Sequence, residues 1–118
     1  MNITDITTYS EWLKGKIDFT KHPKRLLDRL VDIAKYFGQP LTFTSSYRTP
    51  KQNVTCGGSP TSSHLKGLAF DIKCTNSIDR FKLLHTLYHF GLTRIGIYKN
   101  FIHIDFDADK AQFVTWYS

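Results

Sequence analysis

Between Lys24 and Phe37 the apolar positions Leu26, Leu27, Leu30, Val31, Ala34 and Phe37 recur at helical spacing. Lys24, Arg25, Asp28, Arg29, Asp32 and Lys35 take much of the opposite face. The pattern predicts an amphipathic helix starting after His22, with Pro23 at its first position and Gly38 as its stop. Leu41–Ser46 alternates with period two and predicts a strand. Tyr47–Ser63, with Pro50, Gly57-Gly58 and Ser59-Pro60, reads as a long loop, and a loop of that length in a small domain points to function. Gly67–Lys73 predicts a second strand. A second helix follows over about Ile78–Phe90, capped by Asn76 or Ser77 and closed by Gly91. Arg94–Tyr98 and Phe101–Phe106 predict a hairpin turning at Lys99-Asn100. The ends are less patterned. Residues 1–21 are mixed and polar, with Tyr9, Trp12 and Ile17 as anchors. In the tail Ala108–Ser118, the aromatics Phe113, Trp116 and Tyr117 read as core packing.

At 118 residues the chain is expected to form one domain, residues 1–118. A chain of that size buries roughly two thirds of its unfolded surface, enough for a core without staples. No apolar run is long enough to span a bilayer, so no membrane insertion is expected. Met1-Asn2-Ile3-Thr4-Asp5 lacks the basic-then-apolar layout of a signal peptide. Sixteen Lys and Arg against ten Asp and Glu leave a net charge of +6. Such a charge serves solubility, or it favours a polyanionic partner: nucleic acid, an anionic membrane or a bacterial cell wall. The basic residues are scattered rather than gathered in a block, so nucleic acid is not the favoured partner. Cys56 and Cys74 form no CxxC pair and are expected to be free, partly buried thiols, since their spacing alone establishes no disulfide.

The chemistry gathers in two stretches, Ser62-Ser63-His64-Leu65-Lys66-Gly67-Leu68-Ala69-Phe70-Asp71 and Phe101-Ile102-His103-Ile104-Asp105. His64, Asp71 and His103 supply two imidazoles and a carboxylate in apolar, strand-like surroundings. That is the donor set of a catalytic zinc with one position left for water. Taken singly, either histidine reads as a structural side chain and Asp71 as a strand-end cap. The small Gly67 and Ala69 between the first two donors leave room for an ion.

Ser62-x-His64-x-x-Gly67-x-Ala69-x-Asp71 resembles the SxHxxGxAxD motif of the zinc D-alanyl-D-alanine carboxypeptidase family. That family includes phage L-alanyl-D-glutamate endopeptidases and shares its fold with the hedgehog signalling domain. Ser45-Ser46-Tyr47-Arg48-Thr49-Pro50 with Asn53 and Gly57-Gly58-Ser59-Pro60 is similar to another stretch of its small members. Gly96-Ile97-Tyr98, Phe101–Asp105 and a following tryptophan, here Trp116, are similar to their ending. The resemblance implies an α+β fold with a small antiparallel sheet and flanking helices. It also implies Zn²⁺ held by His64, Asp71 and His103, and Arg48 as the cation facing a substrate carboxylate or the oxyanion of the tetrahedral intermediate. Ser62 is read as a donor to a ligand or to substrate, or as a turn residue. The implied activity is hydrolysis of the stem peptide of bacterial peptidoglycan by a monomer. It would be an endopeptidase or carboxypeptidase of phage-lysin type, made in the cytoplasm and released by a holin or carried by a virion. Two rivals stand beside it: a zinc-binding but inactive module of the hedgehog kind, and a nucleic-acid binder. The chain departs from the family at one point. Several members carry a catalytic His two residues before the last ligand, or an acid three before it, where this chain has Phe101 and Asn100. Asp105 is the nearest carboxylate, and period two puts it on the face of His103. It is read as the general base, or as a residue that orients a neighbour. Asp107 would share that face if the strand ran on, while His85 and His89 read as helix-face residues.

Overall fold

The computed structural model describes residues 1–118. The helix read from the periodicity is α2 (Lys24–Phe37), which buries Leu26, Leu27, Leu30, Val31, Ala34 and Phe37, and Ile33 besides. Pro23 stands one place earlier than expected, as the N-cap, and Gly38 closes the helix at φ 94° with its N–H on the Ala34 carbonyl. The left-handed backbone there is one that glycine adopts without steric cost. The second helix, α4 (Ser77–His89), is capped by Asn76, whose side chain accepts from the Asp79 N–H.

The sheet runs β1 (Leu13–Gly15), β2 (Leu41–Ser45), β3 (Ala69–Lys73), β5 (Phe101–Asp105), β4 (Arg94–Ile97), β6 (Val114–Tyr117). Its four central strands are antiparallel, as expected, and β4 and β5 form the expected hairpin. The outermost pairings depart from that expectation, because β1 runs parallel to β2 and β6 parallel to β4. With helices flanking this sheet, the class is α+β.

Three segments differ from their sequence reading. Residues 3–12 form a helix, α1 (Ile3–Trp12), capped by Asn2 and burying Tyr9 alone. Inside the supposed loop lies α3 (Pro50–Thr55), begun by a reciprocal capping pair between Thr49 and Gln52 with Pro50 in its first turn. The strand expected from Gly67 starts only at Ala69, because Ser63–Lys66 is a 3₁₀ turn that Gly67 ends at φ 72°. Of the tail's aromatics, Phe113, just before the edge strand β6, and Tyr117, at its end, are 88% and 85% exposed, while Trp116 is half-buried. Cys56 and Cys74 are free as expected, the first exposed and the second buried.

Period two splits the sheet into two chemistries. Phe70 and Ile72 of β3, Ile95 of β4, and Ile102 and Ile104 of β5 join Leu27, Leu30, Leu83 and Leu87 of the helices in the core. The opposite face carries one cross-strand row in register: Ser45, Asp71, His103, Gly96 and Trp116. Apolar pressure on the first face thus fixes which side chains reach the second.

Candidate metal centre

Asp71 and His103 are direct cross-strand partners at the centre of the sheet, and His64 comes to them from the 3₁₀ turn. The structure brings all three together, with one donor atom of each within 4.8 Å of the others. Asp71 Oδ1 lies 2.8 Å from His103 Nδ1 and 3.3 Å from His64 Nε2. Hydrogen bonds behind each ring set the tautomers. His64 Nδ1–H donates to the Ser46 carbonyl at 2.5 Å, since a carbonyl only accepts. That leaves Nε2 facing Asp71, buried and without a hydrogen-bond partner. On the other ring, His103 Nε2–H donates to Asp105 Oδ2 at 2.9 Å, which leaves Nδ1, 2.8 Å from Asp71 Oδ1, as the nitrogen that would give up its proton to an ion.

A buried ring nitrogen without a partner costs about 1–3 kcal/mol. An ion among these donors would satisfy it. Two imidazole lone pairs and one carboxylate are a donor set that suits zinc. The chain therefore fits the ion on its own chemistry.

Electrostatics support a carboxylate kept charged. Burial alone would raise the Asp71 carboxyl, but the two imidazoles that face it hold it down at about 2. Burial likewise acts to lower His103, yet its bonds to Asp105 and Asp71 win and raise it.

Arg48 stands on the cleft side of Asp71. Its Nη2 is 3.5 Å from Asp71 Oδ2, its Nε donates to Ser45 Oγ at 3.0 Å and its Nη1 to Asn53 Oδ1 at 3.3 Å. Asn53 is held in turn, its Nδ2 donating to the Ser59 carbonyl. A Cβ on Gly58 would sit 2.0 Å from Asn53 Oδ1, so glycine is required where the loop crosses this amide. The resemblance supplied Asn53 without a role, and its hydrogen bond to Arg48 now provides one. Ser62 is a turn residue here: it caps the 3₁₀ turn, and its Oγ accepts from the His64 N–H.

Asp105 meets the ring of His103 on the nitrogen opposite the one that faces Asp71. It lies behind His103, 2% exposed, with Oδ2 on His103 and Oδ1 taken by Arg94 Nε at 2.6 Å. Both bonds outweigh burial and keep its carboxyl below the usual range. With both oxygens engaged, Asp105 is placed to hold the His103 ring, the second of the two roles read for it. Asp107 is buried too, bonded to Ser63 Oγ at 2.8 Å and to Lys66 Nζ, where it ties the His64 turn to the chain beyond β5. Arg94, which the sequence reading passed over, also lies over the Trp116 ring, and that ring packs 5.5 Å from His103. Gly96 makes room for the indole, because a Cβ there would meet Trp116 Nε1 at 2.6 Å. His85 and His89 are far from this work and stack on Tyr36.

The sequence model of the Peptidase M15 family matches residues 2–105. A search of the curated proteins finds no match. Members of that family are zinc-dependent peptidases. The match takes in the loop of Arg48, the His64 turn and both strands of the Asp71–His103 pair, and so this chain belongs to the Peptidase M15 family.

Proposed function

We propose that the protein is a zinc-dependent peptidase that hydrolyses the peptide part of bacterial peptidoglycan. The observation that carries the reading is His64 Nε2, a buried nitrogen with no partner, aimed at a carboxylate that a second imidazole also faces. His64 through Nε2, Asp71 through Oδ1 and His103 through Nδ1 would hold the ion. When bound there, zinc supplies a Lewis acid for the scissile carbonyl and a nucleophile usable at neutral pH. Arg48, fixed by Ser45 and Asn53, directs a rigid fork of donors at the charge of the substrate or of the tetrahedral intermediate. Asp105 holds the His103 ring and its tautomer. The net charge of +6 favours residence on an anionic wall, outside the cytoplasmic membrane, and salt weakens that attraction. No helix is long and apolar enough to cross a membrane.

A second reading, a zinc-binding but inactive module, draws on one observation. Asp105 is fully engaged, and the usual base positions hold Asn100 and Phe101. Digestion of purified peptidoglycan with and without chelator, followed by mass spectrometry of the fragments, separates the two. Chelator-sensitive release of stem-peptide fragments supports the peptidase, and zinc at about one per chain with no release selects the inactive module. Zinc content of His64→Ala is the companion measurement, and full retention of the ion there refutes the ligand assignment.

A further inference from the structure

The family match stops at residue 105, and the chain beyond it returns to the metal centre through one side chain, Arg94. Arg94 is the first residue of β4, and β6 brings Val114 beside it in register. Its guanidinium has three engagements. Nε donates to Asp105 Oδ1 at 2.6 Å, Nη1 donates to the Ala111 carbonyl at 2.6 Å, and the central carbon lies 5.2 Å from the centre of the Trp116 ring. One of these faces the metal centre and two belong to the tail. A planar fork with fixed donors cannot swing toward one partner without leaving the other. The side chain is 12% exposed, so a lost partner is poorly replaced by water.

The tail is braced to present its two contacts. Gln112 Nε2 donates to the carbonyls of Asp107 at 3.0 Å and Lys110 at 2.8 Å, which closes the turn that carries Ala111. Its Oε1 accepts from Thr93 Oγ1 at 2.6 Å, one residue before Arg94. Phe113 then takes φ 60°, a left-handed backbone that a bulky residue adopts only at a cost. Its ring is exposed, so no packing of that side chain compensates the conformation. What the conformation achieves is direction. It turns the chain from Gln112 into β6, where the Val114 N–H meets the Thr93 carbonyl at 3.0 Å and Trp116 reaches the guanidinium.

We propose that Arg94 is a positioning residue of the metal centre, and that residues 106–118 set the affinity for zinc through it. The tail fixes Arg94, Arg94 fixes Asp105, and Asp105 fixes the His103 ring. The chain of contacts is continuous, since Asp105 Oδ2 accepts from His103 Nε2–H at 2.9 Å. This inference rests on the zinc reading and not on hydrolysis of any peptide.

The test is zinc affinity, read by competition with a fluorescent chelator, with circular dichroism and thermal unfolding of the metal-free protein to follow the fold. Arg94→Met removes every donor and keeps an unbranched stem. It is expected to weaken zinc binding about tenfold, the lower end of the loss expected when the support of a metal-binding histidine is removed. Gln112→Ala is the decisive variant, because Gln112 bonds to no metal ligand and to neither Arg94 nor Asp105. It should weaken zinc binding at least about twofold in the unaltered chain and leave it unchanged when Arg94 is already Met, as coupling through a single residue requires. Arg94→Lys, too short of donors to hold Asp105 and the Ala111 carbonyl together, serves the same cycle if Arg94→Met does not fold. Zinc affinity of the folded Arg94 variant within twofold of the parent overturns the proposal, even where the unfolding temperature drops. A Gln112→Ala loss of the same size in both backgrounds overturns it too. An unaltered protein that takes up no zinc overturns the zinc reading along with it, whereas the expected losses in a protein that cleaves no peptide keep the proposal and remove the peptidase.

Discussion

Replacing Asp105 by Asn tests how the metal centre is tuned, because the substitution keeps shape and removes one acceptor. Asp105 satisfies two donors at once, His103 Nε2–H at 2.9 Å and Arg94 Nε–H at 2.6 Å. Asn offers one oxygen and one NH₂. If the oxygen stays on His103, the NH₂ meets the Arg94 guanidinium, donor against donor, in a site where Arg94 is 12% exposed. If the oxygen turns to Arg94, the NH₂ meets His103 Nε2 and drives the ring to the other tautomer. The proton then lies on Nδ1, between the ring and Asp71 Oδ1, where the lone pair for the ion is needed. Either arrangement raises the free energy of the metal-ready ring. Loss of such a supporting carboxylate costs about 10–100-fold in metal affinity, or roughly 1.4–2.7 kcal/mol. Competition with a fluorescent zinc chelator measures it directly, and circular dichroism checks the fold. Zinc affinity within twofold of the unaltered protein refutes the reasoning. A full complement of zinc, with a rate lower by about 10²–10⁴ and the acidic limb of the pH–rate profile gone, would restore Asp105 to the role of base.

Arg48→Lys keeps the charge and loses the fork that spans Ser45, Asn53 and Asp71, so turnover should fall by about an order of magnitude or more with zinc retained, as kinetics and elemental analysis will show; unchanged turnover makes Arg48 a loop pin. Gly96→Ala forces the Trp116 indole off its site and breaks its bond to Tyr98 Oη, so thermal unfolding should report a loss of about 1–3 kcal/mol. Asp107→Asn concerns pH. Ser63 and Lys66 outweigh burial and depress the Asp107 carboxyl, so its contribution is complete above the unfolded value of about 3.9 and is lost as pH falls through the lower folded value. Denaturant titrations at pH 7 should separate variant from parent by about 1–3 kcal/mol, with the gap closing below about pH 4, and a gap that persists unchanged in acid refutes the assignment.

The elements that the sequence made legible are those whose burial is strongly one-sided. α2 buries seven side chains on one stripe, and the β4–β5 hairpin sets Ile95 and Ile97, then Ile102 and Ile104, at period two, so periodicity alone locates both. α1 buries only Tyr9 and carries three threonines, so propensity and pattern both understate it, and its stability comes from contact with α2, including Tyr9 Oη to Asp28. α3 was legible and was missed: Thr49-Pro50-Lys51-Gln52 is a capping sequence with proline in the first turn, masked by the glycines that follow. In the tail, aromatic residues suggested burial. Which of them find cover depends on β6 lying parallel to β4 at the sheet edge, and no local pattern encodes that pairing.

The same distinction explains the site. His64, Asp71 and His103 are legible because their neighbours repeat a known motif, and the face of Asp105 is legible because residues two apart on a strand share a side. The role of Asp105 is not. An imidazole has two nitrogens on opposite flanks of the ring. A residue two positions along the same strand meets one flank, and the cross-strand partner meets the other. Asp71, opposite His103 in register, takes Nδ1, and Asp105, two along, takes Nε2. The carboxylate that touches the metal-facing nitrogen lies in the site, and the one that touches the far nitrogen is placed to hold the ring. Sequence spacing places both acids beside one histidine and assigns neither to a flank. The side-chain rotation of His103 makes that choice, and the Ser46 carbonyl makes the matching one for His64.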